Sequence, residues 1–415
     1  MPVGDLAGWL DEHGAPEFVW YVKRLSGNDT LANGSHQAGP YIPRDFLFGI
    51  FPALNRREVK NPDVRFNLYV DSHPDAREVR AIWYNNRFHD SASARGRDET
   101  RVTGFGGAAS ALLDPESTGA LTVFAFQRVA DGETADCHVW VCRHGTEEDL
   151  VEERVGPVEP GRYLIWPPAQ QGLFAQASQP PVRANCWLAD DEIPPEWRVR
   201  FPSGADIIRR AVELRPDTAL DPDHRLLRRR ECEFEIFRSV EQAIELPHIA
   251  AGFATIDDFI SRAQTVLQRR KARSGHSLEL HARAIFLEER LVEGTHFAHQ
   301  PVSEPGKKPD FLFPSAAAYH DASFPRDRLR MLAVKTTCRD RWRQILNEAD
   351  HIPAKHLLTL QEGVSESQFR EMTQAEVQLV VPAGLFGKFP KSVQPHLQTL
   401  ESFIADVRLL PLGVG

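Results

Sequence analysis

Two short apolar segments each carry a charged residue whose type and position suit chemistry at a metal ion. Asp310 follows Pro309 and opens one apolar run, and Lys335 closes a second run that begins at Met331. A carboxylate at the start of a strand can hold Mg²⁺, which takes a few protein oxygens and keeps several waters. An ammonium at the end of a strand can orient an attacking water and offset the charge of a phosphate. The pair therefore predicts metal-dependent phosphodiester hydrolysis.

A second carboxylate is needed, because a single one holds Mg²⁺ weakly. The position two residues before Lys335, on the same strand face, is Ala333. A helix predicted over residues 340–349 has an apolar stripe made of Trp342, Ile345, Leu346 and Ala349. Glu348 lies at the edge of this stripe and is free to point back toward the strands. We therefore expect Glu348 to supply the missing carboxylate.

Each of these residues also has a simpler interpretation, which composition alone favours. Asp310 can be a turn residue that starts a strand, and Lys335 can be a solvated strand end. Glu279 lies in the first turn of a helix predicted over residues 277–291, where exposed N–H groups and the helix dipole favour a carboxylate. A capping role and a metal-binding role stay equally open for Glu279. The nearby histidines lack the spacing of a zinc protease and are interpreted as surface residues: His296, His299 and His320.

The elements that position these residues follow from the hydrophobic pattern after about Trp197. Thr255 and Asp258 resemble a capping box. An apolar helical stripe follows, made of Ile256, Phe259, Ile260, Ala263, Val266 and Leu267. Farther along, the pattern predicts helices at 277–291 and 340–349 and strands at 310–313, 330–335, 356–360 and 377–381. This alternation predicts a mixed sheet flanked by helices, an α/β domain.

The N-terminal half has a different pattern, with short β runs separated by Gly, Asn, Pro and Asp clusters. The runs lie at residues 18–22, 66–70, 79–84, 121–126 and 138–142. They indicate a β-barrel or sandwich. A Pro, Gln and Ala-rich stretch then has weak periodicity, as interdomain linkers do. We therefore predict a domain over residues 1–172, a linker over 173–195 and a second domain over 196–415.

Charge and cysteine content limit the class of protein. The chain has 415 residues and a formal net charge of -9, which alone argues against nucleic acid, yet residues 326–343 contain six arginines and one lysine against two acids. Five scattered cysteines do not form a disulfide framework, so we expect reduced thiols. The N-terminus lacks the basic start of a signal peptide, and no apolar run approaches the ~20 residues of a membrane span. The expected compartment is cytoplasmic, with no membrane partner.

Residues 334–344, VKTTCRDRWRQ, resemble the recognition element of EcoRII-type restriction endonucleases. These enzymes are a branch of the PD-(D/E)xK nuclease superfamily whose active-site acid is permuted onto the following helix. The resemblance extends over most of the chain, and further matching segments are YVKRLS at 21–26, NDT at 28–30, GPYIP at 39–43, RFPSG at 200–204 and NEAD at 347–350.

The resemblance implies a Mg²⁺-dependent nuclease that cuts a short CC-W-GG-like palindrome as a homodimer formed through its catalytic domain. It assigns catalysis to Asp310, Tyr319, Lys335 and Glu348, with Glu279 as a further candidate metal ligand. Recognition of the CC:GG pairs falls to Arg339, Asp340 and Arg341, which agrees with the contacts that Arg makes to guanine and carboxylates make to cytosine. A cognate cytosine methyltransferase is expected in the same cell.

For the N-terminal half the resemblance is to a DNA-binding pseudobarrel shared with plant auxin-response-type transcription factors. Two arms would clasp the major groove of a second copy of the site. The predicted arm residues are His36 and Tyr41 on the first arm and Arg95, Arg97, Glu99 and Arg101 on the second. Such an effector domain also implies autoinhibition, in which it covers the catalytic cleft.

The predicted fold class is therefore multidomain, with an N-terminal β-pseudobarrel DNA-binding domain and a C-terminal α/β restriction-endonuclease-like (PD-(D/E)xK) domain. The predicted function is that of a type II restriction endonuclease that acts on double-stranded DNA and is stimulated by a second site. The alternative is a sequence-specific DNA-binding protein with a degenerate nuclease domain, which Ala333 favours. A small-molecule phosphoesterase is a third interpretation, although it has no need for the arginine cluster.

Overall fold

The computed structural model describes residues 5–34, 39–89, 98–128, 134–167 and 186–411. Their contacts divide the chain into two compact units. Unit 1 comprises Met1–Pro180, Gln361–Phe369 and Lys388–Val393, and unit 2 comprises Pro181–Leu360, Arg370–Gly387 and Gln394–Gly415. The predicted domain limits at residues 172 and 195 stay predictions.

A seven-stranded sheet forms the centre of unit 1. Its strands are β1 Phe18–Arg24, β2 Asp63–Val70, β3 Asp75–Tyr84, β4 Glu99–Thr103, β5 Leu121–Arg128, β6 Thr134–Val141 and β7 Tyr163–Trp166. The order is β4-β3-β2-β6-β5-β1-β7, in which β2 and β6 run parallel and the other neighbours antiparallel. The five predicted strands are confirmed. The sequence analysis missed β4, whose ETRVT sequence is mostly polar, and β7, which has only four residues.

Both faces of this sheet are covered, so β1 is buried on alternate sides along its length. Val19 and Tyr21 belong to one apolar core, which α2 (Arg44–Ile50) also packs against. Trp20 and Val22 belong to the opposite core, which includes apolar residues of α1 (Leu6–Glu12) and α3 (Gly145–Val155). A strand buried on both faces has a continuous rather than an alternating apolar sequence. This explains the run FVWYV at the start of β1.

Unit 2 is built on a five-stranded sheet of order β12-β11-β10-β9-β8. The strands are β8 Ala298–His299, β9 Phe311–Phe313, β10 Arg330–Val334, β11 Lys355–Leu358 and β12 Val377–Val380. Strands β10, β11 and β12 run parallel, whereas β9 and β8 run antiparallel to their neighbours. The predicted mixed sheet is therefore confirmed.

The remaining α-helices in the described part of the chain are α4 Pro195–Val199, α5 Gly204–Leu214, α6 Pro222–Ala251, α7 Ile256–Glu288, α8 Ala316–His320, α9 Glu366–Gln374 and α10 Leu400–Arg408. None of the described helices combines the length and the apolar character that a membrane span requires.

One long helix, α7, replaces the two shorter helices that the sequence pattern suggested. Thr255 caps its start, since the Asp258 N–H donates to Thr255 Oγ1 at 3.1 Å, so the predicted cap is confirmed. The predicted apolar stripe is not buried: Ile256 is 77% exposed and Phe259 is 53% exposed. Ion pairs join α7 to α6 instead, for example Arg270 with Glu241 at 2.7 Å.

The prediction that all five cysteines are reduced thiols is wrong in this structure. Cys186 and Cys232, whose Cα atoms are 5.1 Å apart, form a disulfide. They are separated by 46 residues, so their spacing in the sequence gave no sign of the pairing. The other three cysteines are buried and form no disulfide in the structure: Cys137, Cys142 and Cys338.

Candidate active site

The antiparallel pairing of β9 with β10 brings Asp310 and Lys335 together. Asp310 directly precedes β9, and Lys335 directly follows β10, so the start of one strand lies beside the end of the other. The Lys335 Nζ is 3.6 Å from Asp310 Oδ2. The backbone N–H of Val334 donates to the same carboxylate oxygen at 2.7 Å, which fixes the orientation of the side chain.

Glu348 interacts electrostatically with both Lys335 and Asp310, which indicates that the three charged groups belong to one region of unit 2. The element before it is a 3-10 helix, Arg341–Asn347, rather than the predicted α-helix 340–349, and Glu348 itself has an extended backbone. The predicted stripe is largely confirmed, because Trp342, Ile345 and Ala349 are buried. Burying these side chains anchors the segment that ends at Glu348, whose carboxyl group interacts electrostatically with Lys335 and Asp310.

Glu348 has an unusual electrostatic environment. Burial raises its pKa to about 7, with a further increase from Asp310 and opposing decreases from Lys335 and Lys355. Its Oε2 is buried and has no hydrogen-bond partner among the described residues. A buried carboxylate oxygen without a partner is costly. A divalent cation would offset that cost.

Asp310 has a related environment, since burial also raises its pKa. Lys335 and the Val334 N–H act in the opposite direction, whereas the negative charge of Glu279 adds to the increase. Glu279 and Glu348 thus each interact electrostatically with Asp310, which pairs with Lys335. Carboxylate oxygens are the donors that Mg²⁺ prefers, so this donor set fits the expected cation.

Glu279 is held differently from the other two acids. It lies far along α7, which begins at Ile256, so its predicted position in the first turn of a helix is wrong and a capping role is excluded. Its Oε1 accepts hydrogen bonds from His299 Nε2 at 2.6 Å and Gln300 Nε2 at 2.8 Å. Burial alone would raise the pKa of Glu279, but these hydrogen bonds lower it below its ordinary value. His299 is thus a half-buried partner of Glu279 rather than a free surface residue.

Tyr319 lies on α8 and is buried. Its hydroxyl donates to Glu304 Oε1 and accepts from the His351 N–H at 3.2 Å. Burial and the neighbouring Glu304 raise the pKa of Tyr319, so the phenol stays protonated. Within the described part of the chain, no hydrogen bond joins its hydroxyl to Asp310, Lys335 or Glu348. Through its hydrogen bond with the His351 N–H, Tyr319 holds the backbone of the segment that follows Glu348.

The sequence analysis missed Lys355, which opens β11. Its side chain is buried, and Nζ donates to the carbonyl oxygens of Glu348 at 2.6 Å and Ala349 at 2.7 Å, and also to that of Ile352. Lys355 therefore holds the backbone of the loop that carries Glu348. A lysine at the start of an otherwise apolar strand is the signal that the sequence offered.

Two of the predicted recognition residues, Arg339 and Asp340, lie on the turn that follows Lys335, and the third, Arg341, is the first residue of the 3-10 helix. Asp340 and Arg341 are exposed, and Arg339 is half-buried. The neighbouring Arg343 pairs with Glu371 at 2.6 Å. The segment therefore presents charged side chains a few residues after Lys335.

In unit 1, a cavity of about 1240 Å³ is lined by Tyr41, Glu99 and Arg101 among other residues. Tyr41 is 61% exposed, and Arg101 Nε lies 3.2 Å from Glu99 Oε1. The structure brings these three predicted effector residues together. The other three, His36, Arg95 and Arg97, lie outside the described residues.

Asp29, which the sequence analysis did not single out as a site residue, positions Tyr41. Its Oδ1 accepts the Tyr41 N–H at 2.8 Å. Its Oδ2 accepts from the Ser26 N–H at 2.7 Å and from Lys23 Nζ at 2.7 Å. The buried carboxylate thus ties two turns to β1 and fixes the backbone at the mouth of the cavity.

Comparisons with known proteins match two separate parts of the chain. The family model described as restriction endonuclease EcoRII, N-terminal, matches residues 14–170, and the model described as EcoRII C terminal matches residues 237–404. The chain is 47% identical over 406 residues to the type II restriction enzyme EcoRII of Escherichia coli, with 96% of each chain covered.

Two solved structures are similar to parts of the chain. Metal-depleted Ecl18kI in complex with uncleaved, modified DNA has a TM-score of 0.43 and 16% identity, and the match covers 52% of this chain and 80% of that one. The B3 domain of UbaLAI restriction endonuclease with cognate DNA has a TM-score of 0.27 and 18% identity, covering 39% and 98%. Both TM-scores are below 0.5, so the sequence matches alone define the family of this chain.

The raised pKa of Glu348 predicts a pH-dependent gain in stability when the carboxyl group is replaced by an amide. The folded chain favours the protonated carboxyl group of Glu348. The contribution of this group to the free energy of unfolding is therefore complete at low pH and is lost as the pH rises through about 7. Glu348→Gln should therefore raise the free energy of unfolding of the metal-free chain at about pH 8 by roughly 1–2 kcal/mol, allowing for solvent screening, and change it little near pH 5.

The measurement is urea denaturation in EDTA at both pH values. Glu401→Gln is the matched control, because Glu401 is an exposed residue of unit 2. Equal stabilities of Glu348→Gln and the parent chain at both pH values would contradict the burial of an unpaired charge.

Proposed function

The chain belongs to the EcoRII family of type II restriction enzymes, and from this premise we propose that it cuts both strands of duplex DNA at a CC-W-GG-like palindrome with Mg²⁺ as cofactor. It is a site-specific deoxyribonuclease. One observation supports the proposed metal chemistry above the others. Glu348 has a buried carboxylate oxygen without a hydrogen-bond partner, and its carboxyl group interacts electrostatically with both Asp310 and Lys335.

The proposed metal ligands are Asp310 and Glu348, with Glu279 close enough to influence Asp310 electrostatically. When bound, Mg²⁺ would polarise a phosphoryl oxygen and lower the pKa of an attacking water. The Val334 N–H orients the Asp310 carboxylate, and Lys355 holds the loop of Glu348. Both arrangements fix the ligands before substrate binds, which reduces the cost of reorganisation.

Lys335 has two proposed tasks. Its ammonium lies 3.6 Å from Asp310 Oδ2, so it stands beside the carboxylate that would hold the cation. From there it can orient the attacking water and offset the charge that develops on the scissile phosphate. The direct catalytic role that the resemblance gave to Tyr319 becomes, in our proposal, the positioning of the loop after Glu348.

The alternative of a DNA-binding protein with a degenerate nuclease domain depended on Ala333. That residue is fully buried on β10, and the acid that the position lacks has a replacement in Glu348. A cognate cytosine methyltransferase in the same cytoplasm remains part of the proposal, because a type II restriction enzyme requires protection of the host site.

Recognition of the site is proposed for the segment that carries Arg339, Asp340 and Arg341. Two copies of the segment, one from each subunit of a homodimer, would read the two halves of a palindrome. Exposed apolar side chains near the junction of α6 and α7 support association, since large exposed apolar residues mark interaction surfaces. They are Leu246, Ile249, Ile256, Phe259 and Ile260.

Unit 1 is proposed to bind a second copy of the site and stimulate cleavage. The cavity that holds Tyr41, Glu99 and Arg101 supports this assignment, because it combines an exposed aromatic ring with charged groups. The autoinhibition implied by the resemblance belongs to the same proposal, since binding of the effector DNA would release the catalytic cleft.

Removing either Lys335 or Glu348 should abolish cleavage without abolishing DNA binding. Lys335→Ala and Glu348→Ala should each lower the rate of Mg²⁺-dependent cutting of a plasmid with CCWGG sites by at least ~10²-fold, because each removes a group that acts on the transition state. Specific binding, measured with Ca²⁺ in place of Mg²⁺, should persist. Glu401→Ala is the matched control and should cut normally.

Full activity of Glu348→Ala would refute its assignment as the second acid and direct attention to Glu279. A parent chain that binds plasmid but never cuts it in Mg²⁺ would refute the proposed cofactor.

If Arg341 reads guanine, Arg341→Ala should lose roughly 1 to 3 kcal/mol of discrimination at one base pair. The measurement compares binding of the full chain to the cognate duplex and to duplexes with one substituted pair, at fixed salt. The control is Arg343→Ala, because Arg343 is engaged with Glu371. An equal loss of affinity for all duplexes would mean that Arg341 contacts phosphate.

Second-site stimulation predicts that a short duplex carrying the site, added in trans, accelerates cleavage of a single-site plasmid. We expect about tenfold, which corresponds to ~1.4 kcal/mol of coupling between the two sites. Arg101→Ala should reduce the stimulation and leave the unstimulated rate unchanged. Arg65→Ala, an exposed arginine on β2 outside the cavity, is the control. A rate that is independent of the added duplex would exclude an effector role for unit 1.

A further inference from the structure

Three potential metal ligands that the nuclease chemistry does not use meet in unit 1. His13 caps the C-terminus of α1, Asp71 directly follows β2, and His138 lies in β6. Strands β2 and β6 are parallel neighbours, and the Asp71 N–H donates to the Val139 carbonyl at 2.9 Å, so the register of the sheet places Asp71 beside His138. One donor atom from each of the three side chains lies within 4.8 Å of the other two.

The hydrogen bonds around the cluster determine which nitrogen of His13 can bind a cation. The Nδ1 of His13 lies 3.0 Å from the Trp9 carbonyl oxygen and donates to it. The proton of the neutral ring is therefore on Nδ1, and Nε2 carries the lone pair. Neutral imidazole is the form that binds metals.

Asp71 and His138 supply the other two donors. Nδ1 of His138 is 2.9 Å from Asp71 Oδ2, a distance that two ligands of one cation can also have when each lies about 2.0–2.2 Å from it. The Trp9 indole N–H donates to the same Oδ2 at 2.7 Å. Such a hydrogen bond orients a ligand from outside the coordination sphere, as is usual at metal sites.

The cluster is partly buried, yet one side of it is accessible to solvent. His13 is only 4% exposed, whereas the side chains of His138 and Asp71 are 26% and 25% exposed. A cation can therefore enter from the side of Asp71 and His138.

We propose that His13, Asp71 and His138 form a binding site for a first-row transition cation of the Zn²⁺ type, separate from the catalytic carboxylates. Two imidazole nitrogens and one carboxylate oxygen are a common set of three protein ligands for Zn²⁺, with water in the fourth position. A cation would bind the lone pair of His138 Nδ1 in the tautomer whose single N–H is on Nε2, so the hydrogen bond from Nδ1 to Asp71 Oδ2 would be replaced by two bonds to the cation with no net loss of a proton. Nitrogen donors select Zn²⁺ or Co²⁺ over Mg²⁺, which prefers oxygen.

A bound cation would link three elements that are far apart in the sequence. It would join the end of α1 to β2 and β6, and thereby stabilise unit 1 against unfolding in proportion to its occupancy. The site has no part in the proposed hydrolysis, so its removal should change stability and metal content but not the chemistry of cleavage.

The test uses the full chain with Asp310→Ala and Glu348→Ala, so that the catalytic carboxylates cannot contribute. Co²⁺ is titrated first, because its visible absorption reports nitrogen ligation, and Zn²⁺ is then added as a competitor. We expect one equivalent of Co²⁺ to bind and to be displaced by Zn²⁺. A hundredfold excess of Zn²⁺ over its Kd should also raise the Tm of unit 1 by about 5 °C or more.

In the same background, His13→Gln, Asp71→Asn and His138→Gln should each lose the absorption band and the Zn²⁺-dependent rise in Tm. Melting in EDTA separates loss of the site from loss of the fold, and Asp71→Asn can keep the hydrogen bond from Trp9. His144→Gln is the control, because the side chain of His144 is 59% exposed in the same unit. Binding that survives in the three variants, or its absence from the background chain, would overturn the proposal.

Discussion

The antiparallel pairing of β9 with β10 is the constraint on which the catalytic unit depends. In such a pair the start of one strand faces the end of the other, and here these positions carry Asp310 and Lys335. Apart from Arg330, the residues of both strands are apolar and buried, so both faces of the sheet are packed here. A shift of one residue would move each buried side chain to the opposite packed face, where its shape does not fit. The geometry of the charged pair is therefore protected by the cost of repacking the core.

The second acid is held by a different kind of interaction. Glu348 follows a short 3-10 helix whose apolar side chains anchor it, and Lys355 and Tyr319 secure the loop that comes next. These contacts keep a carboxylate with a raised pKa beside Asp310, which costs stability when no cation is present. Functional sites commonly accept such a cost, because ligands that are already in place need no rearrangement when the metal and the substrate bind.

In unit 1 the candidate DNA-binding cavity and the candidate cation site border opposite cores of the sheet, because successive side chains of a strand point to opposite faces. The cavity with Tyr41 and Arg101 borders the core that contains Ile42 and Phe105. The histidine cluster borders the opposite core, where Trp9 stacks on His13 with ring centroids 4.5 Å apart. Because successive side chains of β1 enter opposite cores, one sheet supports a candidate DNA-binding surface and a candidate cation site without placing their charges in contact.

The sequence by itself determined the local features of this protein. The strands at 311–313, 330–334 and 377–380 agree with the predicted runs within two residues, because buried strands are short apolar segments bounded by turn residues. The residue types at Asp310, Lys335 and Glu348 suggested metal chemistry, although composition alone favoured simpler roles and the resemblance to the family reversed that preference. The matching segments along the chain were enough to predict the family, which the comparisons confirm.

Only the tertiary structure decided features that depend on partners distant in the chain. Such features include the hydrogen bonds of Glu279, the disulfide of Cys186 with Cys232, the three carbonyl acceptors of Lys355 and the contact of His13 with His138. The hydrophobic pattern of the sequence predicted none of these pairings. Hydrophobic periodicity reports which face of an element is buried and nothing about what lies against it. The identity of each buried polar partner therefore came from the packing of elements, which the order of residues along one element does not encode.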